Sequence, residues 1–279
     1  MSSENKDTKH SVKVMADNLL PKEIVEYAAN ISAEKDRYSF KKLSLLSFLA
    51  GVYIAIGGLL AVVMAYGMPG ITAQNPAIIK FAMGAFFPIG IILVAIAGAE
   101  LFTGNCAYFI PAVMNGTVKW YRVLRNWVIV WMGNFVGALF FLYLFVHLTH
   151  VLHGESWIDG LNQIATAKTS NPFFVTVLKG MAANWLVCLA MWLGMSTKST
   201  SGKILGLWLP VMAFVTIGYE HSIANMFFLP MAMFSGFELS IVDLFCKNLI
   251  PATIGNILGG ALFVGAIYWY CYIKGSSKK

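Results

Sequence analysis

The chain has 279 residues, of which 58% are hydrophobic and only 12% are charged, whereas a soluble globular domain typically carries about 25% charged residues. This composition excludes an ordinary soluble protein and predicts an all-α protein that crosses the membrane several times. The formal net charge of +7 does not indicate nucleic-acid binding, because the basic residues gather in the amino-terminal arm, in alternate loops and at the carboxyl end.

The amino-terminal arm, residues 1–42, is polar and charged, and we expect its first 19 residues to be disordered. Apolar residues then recur at helical spacing after Pro21: Ile24, Tyr27, Ala28 and Ile31. This pattern predicts a short amphipathic helix on the cytoplasmic face. A gate below a pore and a plain interfacial anchor are both open as its role.

A transmembrane domain is predicted over residues 43–273, because it contains six apolar runs close to the ~20 residues that cross a bilayer. The runs lie at 43–67, 77–100, 122–148, 172–195, 204–230 and 248–273. Lys and Arg are concentrated in every second loop, so the positive-inside rule places both termini, including the tail 274–279, in the cytoplasm. We therefore predict a multi-pass protein of the cell membrane.

An NPA tripeptide, Asn75 to Ala77, precedes the second run and invites comparison with aquaporins. An aquaporin pore needs two such motifs on half-helices, whereas this chain has one, at the start of a full span. We therefore predict an ordinary helix start with proline in the first turn.

The second and fifth runs share the polar pattern G-x-E-x-x-x-x-N. Its copies lie at 98–105 and 218–225, and each is soon followed by a proline, Pro111 or Pro230. Ionisable side chains inside a span are costly and usually face a cavity or each other. We therefore predict that spans two and five are broken helices that meet at a central site.

Freed backbone groups at such breaks must be bonded internally or line a water-filled cavity, which is where a small solute can bind. Glu100 and Glu220 stand at the starts of half-helices, where the helix dipole favours a carboxylate. A structural role and direct proton transfer are both open for these carboxylates. Asn105 and Asn225 are expected to tie the broken ends together, with direct contact with the solute as the alternative.

A second repeated pattern lies in spans three and six, which carry MGNFVGALF and IGNILGGALF. Asn134 and Asn256 are 122 positions apart, close to the 120 positions between Glu100 and Glu220. The chain therefore contains two homologous halves of three spans. Because three is odd, the halves must be inverted relative to each other, which predicts an aquaporin-like architecture of two inverted three-span repeats.

The two polar motifs differ at their centres, because the first contains Leu101, Phe102 and Thr103 and the second contains His221. An imidazole among apolar side chains is driven towards its neutral form unless an anion accompanies it. Such a histidine would couple an anion to a proton. A histidine satisfied by helix backbone in a packed core is the alternative.

Polar side chains also occur near span four. Lys179 lies two turns into this span, where it either snorkels to the headgroups or lines a vestibule that attracts anions. Asn184 faces either a pore or a neighbouring helix.

Four stretches resemble signatures of the formate/nitrite transporters. They are AELFTGN at 99–105, KWYRVLRNW at 119–127, NWLVCLAMW at 184–192 and GYEHSIANM at 218–226. The resemblance covers nearly all of residues 20–273. It implies a homopentamer in which each protomer contains its own pore for small monovalent anions.

The resemblance also implies roles for individual residues. It implies that Thr103 contributes a hydroxyl to the loop that breaks span two, that His221 is the central histidine, and that Asn184 faces it. It places Lys168 in the outer vestibule and a basic residue, as often in the family, at Lys179. The implied hydrophobic constriction consists of Leu101, Phe102 and Phe214, completed by Phe87 and Ile91.

These observations predict a membrane channel or transporter for small weak-acid anions, with pH-dependent, proton-coupled passage at the central histidine. Formate is the first choice of substrate, nitrite the second, and hydrosulfide, lactate or acetate follow. A six-span membrane enzyme that uses Glu100, Glu220 and His221 as acid and base groups is the alternative class, and a sealed scaffold is the third. The sequence has no metal-ligand cluster, nucleophile motif or cofactor loop, so no cofactor or metal is predicted.

Overall fold

The computed structural model describes residues 18–274. The expected disorder of the first 19 residues and the tail after Lys274 therefore fall almost entirely outside the described residues. Within the described range, an isolated bridge between Asn18 and Thr197 is the only β pairing, and the rest of the regular structure is helical.

The helices alternate between long spans and shorter segments. In chain order they are α1 (Pro21–Asp36), α2 (Phe40–Tyr66), α3 (Pro76–Gly98), α4 (Phe102–Met114), α5 (Trp120–His147), α6 (Glu155–Thr169), α7 (Phe173–Ser196), α8 (Thr200–Ile217), α9 (Ser222–Phe234) and α10 (Ile241–Tyr272), with a one-turn helix at Pro69–Thr72 between α2 and α3. Six of them, α2, α3, α5, α7, α8 and α10, are long and apolar enough to cross a membrane. The prediction of an all-α, six-span protein is confirmed.

Polar residues define where several of these helices begin. The side chains of Ser39, Ser199 and Ser240 each accept a backbone N–H from the first turn of α2, α8 and α10, which stabilises a helix start. Asn75 precedes α3 and Pro76 is its first residue. The NPA tripeptide is therefore an ordinary helix start, as predicted.

Small residues bring the spans of each half into close contact. A Cβ on Gly51 would overlap the backbone of Asn134, and one on Gly137 would overlap the backbone of Phe48, so α2 and α5 touch along their backbones. In the second half, a Cβ on Gly255 would overlap the backbone of Val177 in the same way. Such contacts are typical of helix packing in lipid, where association depends on close van der Waals fit.

The second half contains one helix that the sequence did not indicate. The loop expected at 149–171 contains α6, so each half consists of a short helix (α1 or α6), a full span, a span broken into two helices, and a second full span. The sequence predicted α1 but not α6, because α6 follows a long apolar run and has few charged residues. The repeat unit is therefore four elements long.

The broken spans are longer than their apolar runs. The second span continues from its break through α4 to Met114, the fifth ends at Phe234, and the sixth already begins at Ile241. Pro111 and Pro230 lie inside α4 and α9 rather than at the breaks, because neighbouring elements can satisfy the backbone groups that a proline frees. Each proline therefore follows its motif, as the sequence shows, but lies in the half-helix beyond the break.

Helix α1 lies at the surface of the protein and buries one face against neighbouring helices. It buries Ile24, Val25, Ala28 and Ala29, whereas Tyr27 is 47% exposed. Ile24 and Ala28 belong to a small apolar cluster with Tyr108 and Trp192. The buried face is therefore rotated away from Tyr27, because α1 docks against α4 and α7.

Candidate functional site

Both broken spans turn at a glycine in the left-handed region. Gly98, at the end of α3, has a φ of +85° and Gly218, after α8, has a φ of +88°. This conformation costs a residue with a Cβ about 1–2 kcal/mol. The non-helical residues that follow bring Glu100 and Glu220 to the starts of α4 and α9, as expected.

Two buried asparagines hold the backbone of these breaks. Asn134 Oδ1 accepts the Phe102 N–H at 3.0 Å, and Asn134 Nδ2 donates to the Glu100 carbonyl at 2.9 Å. Asn256 makes the same two bonds in the second half, to the Ser222 N–H at 2.8 Å and the Glu220 carbonyl at 2.9 Å. The sequence identified both asparagines as equivalent positions of the two halves, but only the structure shows that they bind the backbone of the breaks.

The carboxylate of Glu220 lies in a buried polar cluster on the side of α6, which we call the outer side. Lys168 Nζ lies 3.1 Å from Glu220 Oε2, and Asn225 Nδ2 donates to the same oxygen at 2.7 Å. Asn248, from α10, bonds both Asn225 and Glu220, at 2.6 and 3.2 Å. Glu220 is therefore the ion-pair partner of Lys168, the lysine that the family resemblance places in the outer vestibule.

A matching cluster surrounds Glu100 on the inner side, where α1 lies. Lys35 Nζ is 3.0 Å from Glu100 Oε1 and donates to Asn105 Oδ1 at 2.9 Å. Asn105 Nδ2 donates to Glu100 Oε2 at 2.9 Å and to Asn126 Oδ1 at 3.0 Å. The two halves thus repeat a Lys–Glu–Asn–Asn arrangement.

Sequence reasoning missed Lys35, Asn126 and Asn248. A signal was present, because Ile31, Lys35 and Phe40 have the same spacing as Ile164, Lys168 and Phe173. These pairs are 133 positions apart instead of 120 or 122, since the connection between the first two spans is longer in the first half. A search at one fixed offset therefore does not detect them.

His221 and Thr103 meet at the centre, although they are 118 positions apart. His221 Nε2 lies 3.0 Å from Thr103 Oγ1, and His221 Nδ1 accepts the Ala224 N–H at 3.1 Å as the N-cap of α9. Because Nδ1 is an acceptor, the proton of the neutral ring lies on Nε2, which then donates to Thr103 Oγ1. The hydroxyl proton of Thr103 is left free to donate to a solute.

Asn184 lies beside this pair rather than on it. Its Nδ2 donates to the carbonyl oxygens of Thr103 at 3.1 Å and Asn256 at 2.6 Å. Its Oδ1 is buried and has no hydrogen-bond partner among residues 18–274. Asn184 therefore anchors the break loop of span two, and it lines neither of the cavities that approach the centre.

Aromatic rings cover His221 on its outer side. The Phe214 ring stacks on the imidazole with centroids 5.7 Å apart, and Phe87 packs against Phe214 at 6.2 Å. Phe228 follows at 6.2 Å from Phe87. The central polar pair is therefore enclosed by an apolar wall.

Two cavities approach the centre from opposite sides. The outer cavity, about 380 Å³, reaches Phe87, Phe214 and His221, and the inner cavity, about 510 Å³, reaches Gly98 and Glu100. The predicted constriction residues that line neither cavity are Leu101, Phe102 and Ile91, each at most 3% exposed. The Phe102 ring packs edge-to-face on Trp127, 6.3 Å between centroids, so a closed apolar layer separates the cavities.

Lysines lie in or at the walls of both cavities. Lys168 and Lys179 line the outer cavity together with the more exposed Lys80, and Lys179 Nζ donates to Asn171 Oδ1 at 3.1 Å. Lys35 lines the inner cavity. Lys179 therefore lies at the wall of the outer cavity, and the attraction of anions by its charge stays a prediction.

Comparison with known proteins agrees with this arrangement. The family model described as "Formate/nitrite transporter" matches residues 22–270. The chain is similar to a probable formate transporter of Methanothermobacter thermautotrophicus, with 41% identity over 269 residues, 91% of this chain and 97% of that protein.

Two solved structures are also similar. One is an ion channel of the FNT family, at 32% identity and a TM-score of 0.81, covering 89% of this chain and 98% of the other. The second is a pentameric formate channel with formate bound, at 32% identity and a TM-score of 0.73, covering 84% of this chain and 98% of the other. With the family model matching most of its length, the chain belongs to the formate/nitrite transporter family.

Proposed function

We propose that the chain forms a homopentamer in which each protomer conducts small weak-acid anions, with formate as the first substrate. The single observation that carries this proposal is the pair of lysine-containing cavities separated by a closed apolar layer with one His–Thr pair at its edge. The names of two similar proteins, a probable formate transporter and a pentameric formate channel with formate bound, support formate as the substrate and the pentamer as the assembly.

The cavities are proposed to concentrate anions before the barrier. Lys80 and Lys179 line the outer cavity and form no ion pair within the described chain, so their charge attracts a small anion. A cleft lined by one sign of charge raises the local concentration of the opposite charge. Lys168 and Lys35, each paired with a carboxylate, are proposed to hold the breaks open to these cavities.

At the barrier, a bare anion loses its hydration, which costs several kcal/mol even after relaxation. The neutral acid avoids most of this cost, so we propose that the solute, as it leaves the lysines, takes up a proton that hydronium in the external solution supplies and the cavity water relays. His221 Nε2–H and the Thr103 hydroxyl then donate hydrogen bonds to it in turn. Proton coupling thus follows from the apolar layer, and the histidine guides the neutral acid through it.

The hydrogen bond at Nδ1 explains why the ring acts as a neutral donor. A second proton on Nδ1 would displace the Ala224 N–H and leave that donor unsatisfied at the start of α9. An unsatisfied buried N–H costs about 1–3 kcal/mol. An imidazolium that pairs with the anion, one form of the sequence hypothesis, is therefore disfavoured, whereas pH-dependent uptake is retained through protonation of the solute.

The carboxylates are proposed to be structural. Glu100 and Glu220 are at most 4% exposed and each is paired with a lysine, so neither is free to act as an acid or base on a solute. This argues against the membrane-enzyme alternative. Flux through liposomes separates a channel from a sealed scaffold.

The experiment compares four variants in proteoliposomes with formate, nitrite and hydrosulfide at two external pH values. His221→Asn keeps a capping acceptor for α9 but removes the imidazole, and His221→Phe removes both. Thr103→Val removes the hydroxyl, whereas Thr103→Ser retains it. Flux through empty vesicles is subtracted, because neutral acids also cross lipid.

We expect wild-type and Thr103→Ser uptake to rise as the external pH falls, and His221→Asn and Thr103→Val to lose at least tenfold, about 1.4 kcal/mol of barrier. His221→Phe is expected to lose the cap as well. Correctly assembled His221→Asn protein with wild-type uptake and pH dependence would refute the role of the histidine. A greater flux of nitrite or hydrosulfide than of formate would replace formate as substrate.

A further inference from the structure

An apolar groove runs along the surface between α2 and α5, away from both cavities. It has a volume of about 520 Å³ and is lined by Phe40, Leu45 and Phe48 from α2 and Val128, Met132 and Val136 from α5. Phe40, Leu45 and Val128 are 66%, 56% and 63% exposed. None of these residues belongs to the proposed pathway.

The groove is a consequence of how the two helices pack. The contact at Gly51 and Gly137 brings the backbones together, so large side chains can stand only to either side of it. Spans one and three run in the same direction, because one span separates them in the chain. The groove therefore runs along the membrane normal, as an acyl chain does.

Two basic side chains lie at the end of the groove nearest α1. Lys41 is one turn before Leu45, and Arg125 is one turn before Val128, on the same helix faces. Neither forms an ion pair with any residue between Asn18 and Lys274. The neighbouring Arg122, by contrast, is bound to Asp36 at 2.8 Å. The groove thus ends at two cationic groups that have no counterion among residues 18–274.

The equivalent place in the second half lacks this feature. The counterpart of Lys41 is Phe174, and the counterpart of Arg125 is Lys247, which is paired with Asp243 at 3.2 Å. The repeat therefore provides a natural comparison: the groove between α2 and α5 has free positive charge at its end, and its symmetry mate on the other side of the membrane does not.

We propose that this groove binds an anionic phospholipid, with one acyl chain along Leu45, Val128 and Met132 and the phosphate between Lys41 and Arg125. Basic side chains beside a transmembrane helix attract anionic headgroups on that side of the bilayer. The apolar groove supplies the contact for the chain. The asymmetry between the halves restricts the site to the leaflet on the side of α1.

The first test measures binding of phosphatidylglycerol and of phosphatidylcholine with identical acyl chains to the purified oligomer by native mass spectrometry. We expect phosphatidylglycerol to bind more tightly, and Lys41→Gln/Arg125→Gln to weaken it about thirtyfold, roughly fivefold for each basic residue. The control, Lys22→Gln/Lys247→Gln, removes the same charge from two lysines that are paired within their own helices. It is expected to bind phosphatidylglycerol as the wild type does.

The second test fills the groove and leaves the charges in place. Leu45→Trp is expected to abolish tight binding of phosphatidylglycerol while formate flux and oligomer mass stay unchanged. Equal binding of the two lipids by the wild type, or equal losses in the charge variant and its control, would overturn the proposal. Dissociation of the oligomer by Leu45→Trp would also overturn it, because the face would then belong to a contact between copies.

Discussion

The buried ion pairs at the two breaks allow a test of how the pathway is held together. Lys168 Nζ lies 3.1 Å from Glu220 Oε2, and their side chains are only 16% and 3% exposed. Lys168→Met preserves the length of the side chain but leaves a buried carboxylate without its cation. Breaking such a pair costs about 3–5 kcal/mol, so we expect a loss of this size in the free energy of unfolding.

A matched control distinguishes burial from charge. Lys247 and Asp243 form a pair of similar length, 3.2 Å, but are 51% and 39% exposed. Exposed pairs contribute about 0–1 kcal/mol, so Lys247→Met should change the unfolding free energy by at most about 1 kcal/mol. The difference between the two lysines isolates the cost of the stranded carboxylate.

The double variant Lys168→Met/Glu220→Gln removes the stranded charge. The amide oxygen of Gln can still accept from Asn225 and Asn248, which now bond Glu220 Oε2. We expect most of the lost stability and most of the formate flux to return, because the two paired charges are removed together and the net charge of the outer cavity is unchanged. Lys35→Met/Glu100→Gln should behave in the same way on the inner side.

The assay is reversible unfolding of the reconstituted protein, followed by formate flux on the same preparations. A Lys168→Met variant within 1 kcal/mol of the wild type would show that the pair is not buried in the working protein. A double variant that remains as unstable as the single one would refute the argument that the unpaired carboxylate causes the loss.

Three further predictions concern the barrier, the breaks and the topology. Phe102→Ala should speed formate flux and admit larger carboxylates, because it thins the apolar layer; unchanged flux and selectivity would move the barrier elsewhere. Gly218→Ala should lower the unfolding free energy by about 1–2 kcal/mol, since its φ is +88°. Gly70→Ala, which lies in a one-turn helix with equally free space, should not lower it in the same unfolding assay. Cysteines at Gly70 and Gly202 should react with an impermeant thiol reagent from opposite sides; labelling from one side would refute the proposed cytoplasmic termini and the inverted repeat.

Much of the site follows from local patterns. The two G-x-E-x-x-x-x-N motifs located both breaks to within a few residues, because a carboxylate and a glycine inside an apolar run are costly unless the helix is interrupted. The repeated Asn134 and Asn256 revealed the duplication. The neighbours of Glu100 were not accessible in this way, because Lys35 lies on a different helix and Asn126 lies 21 positions beyond Asn105.

The sequence by itself determined the class, the six spans, the duplication and the positions of the breaks, since these depend on hydrophobicity, helix length and the conformational needs of single residues. The tertiary structure alone decided which polar groups meet. His221 and Thr103 come from opposite halves, and the acceptor at Nδ1, which makes the ring a neutral donor, arises from its place as the cap of α9. Hydrogen bonds act over about 3 Å, a precision that only the packed helices establish.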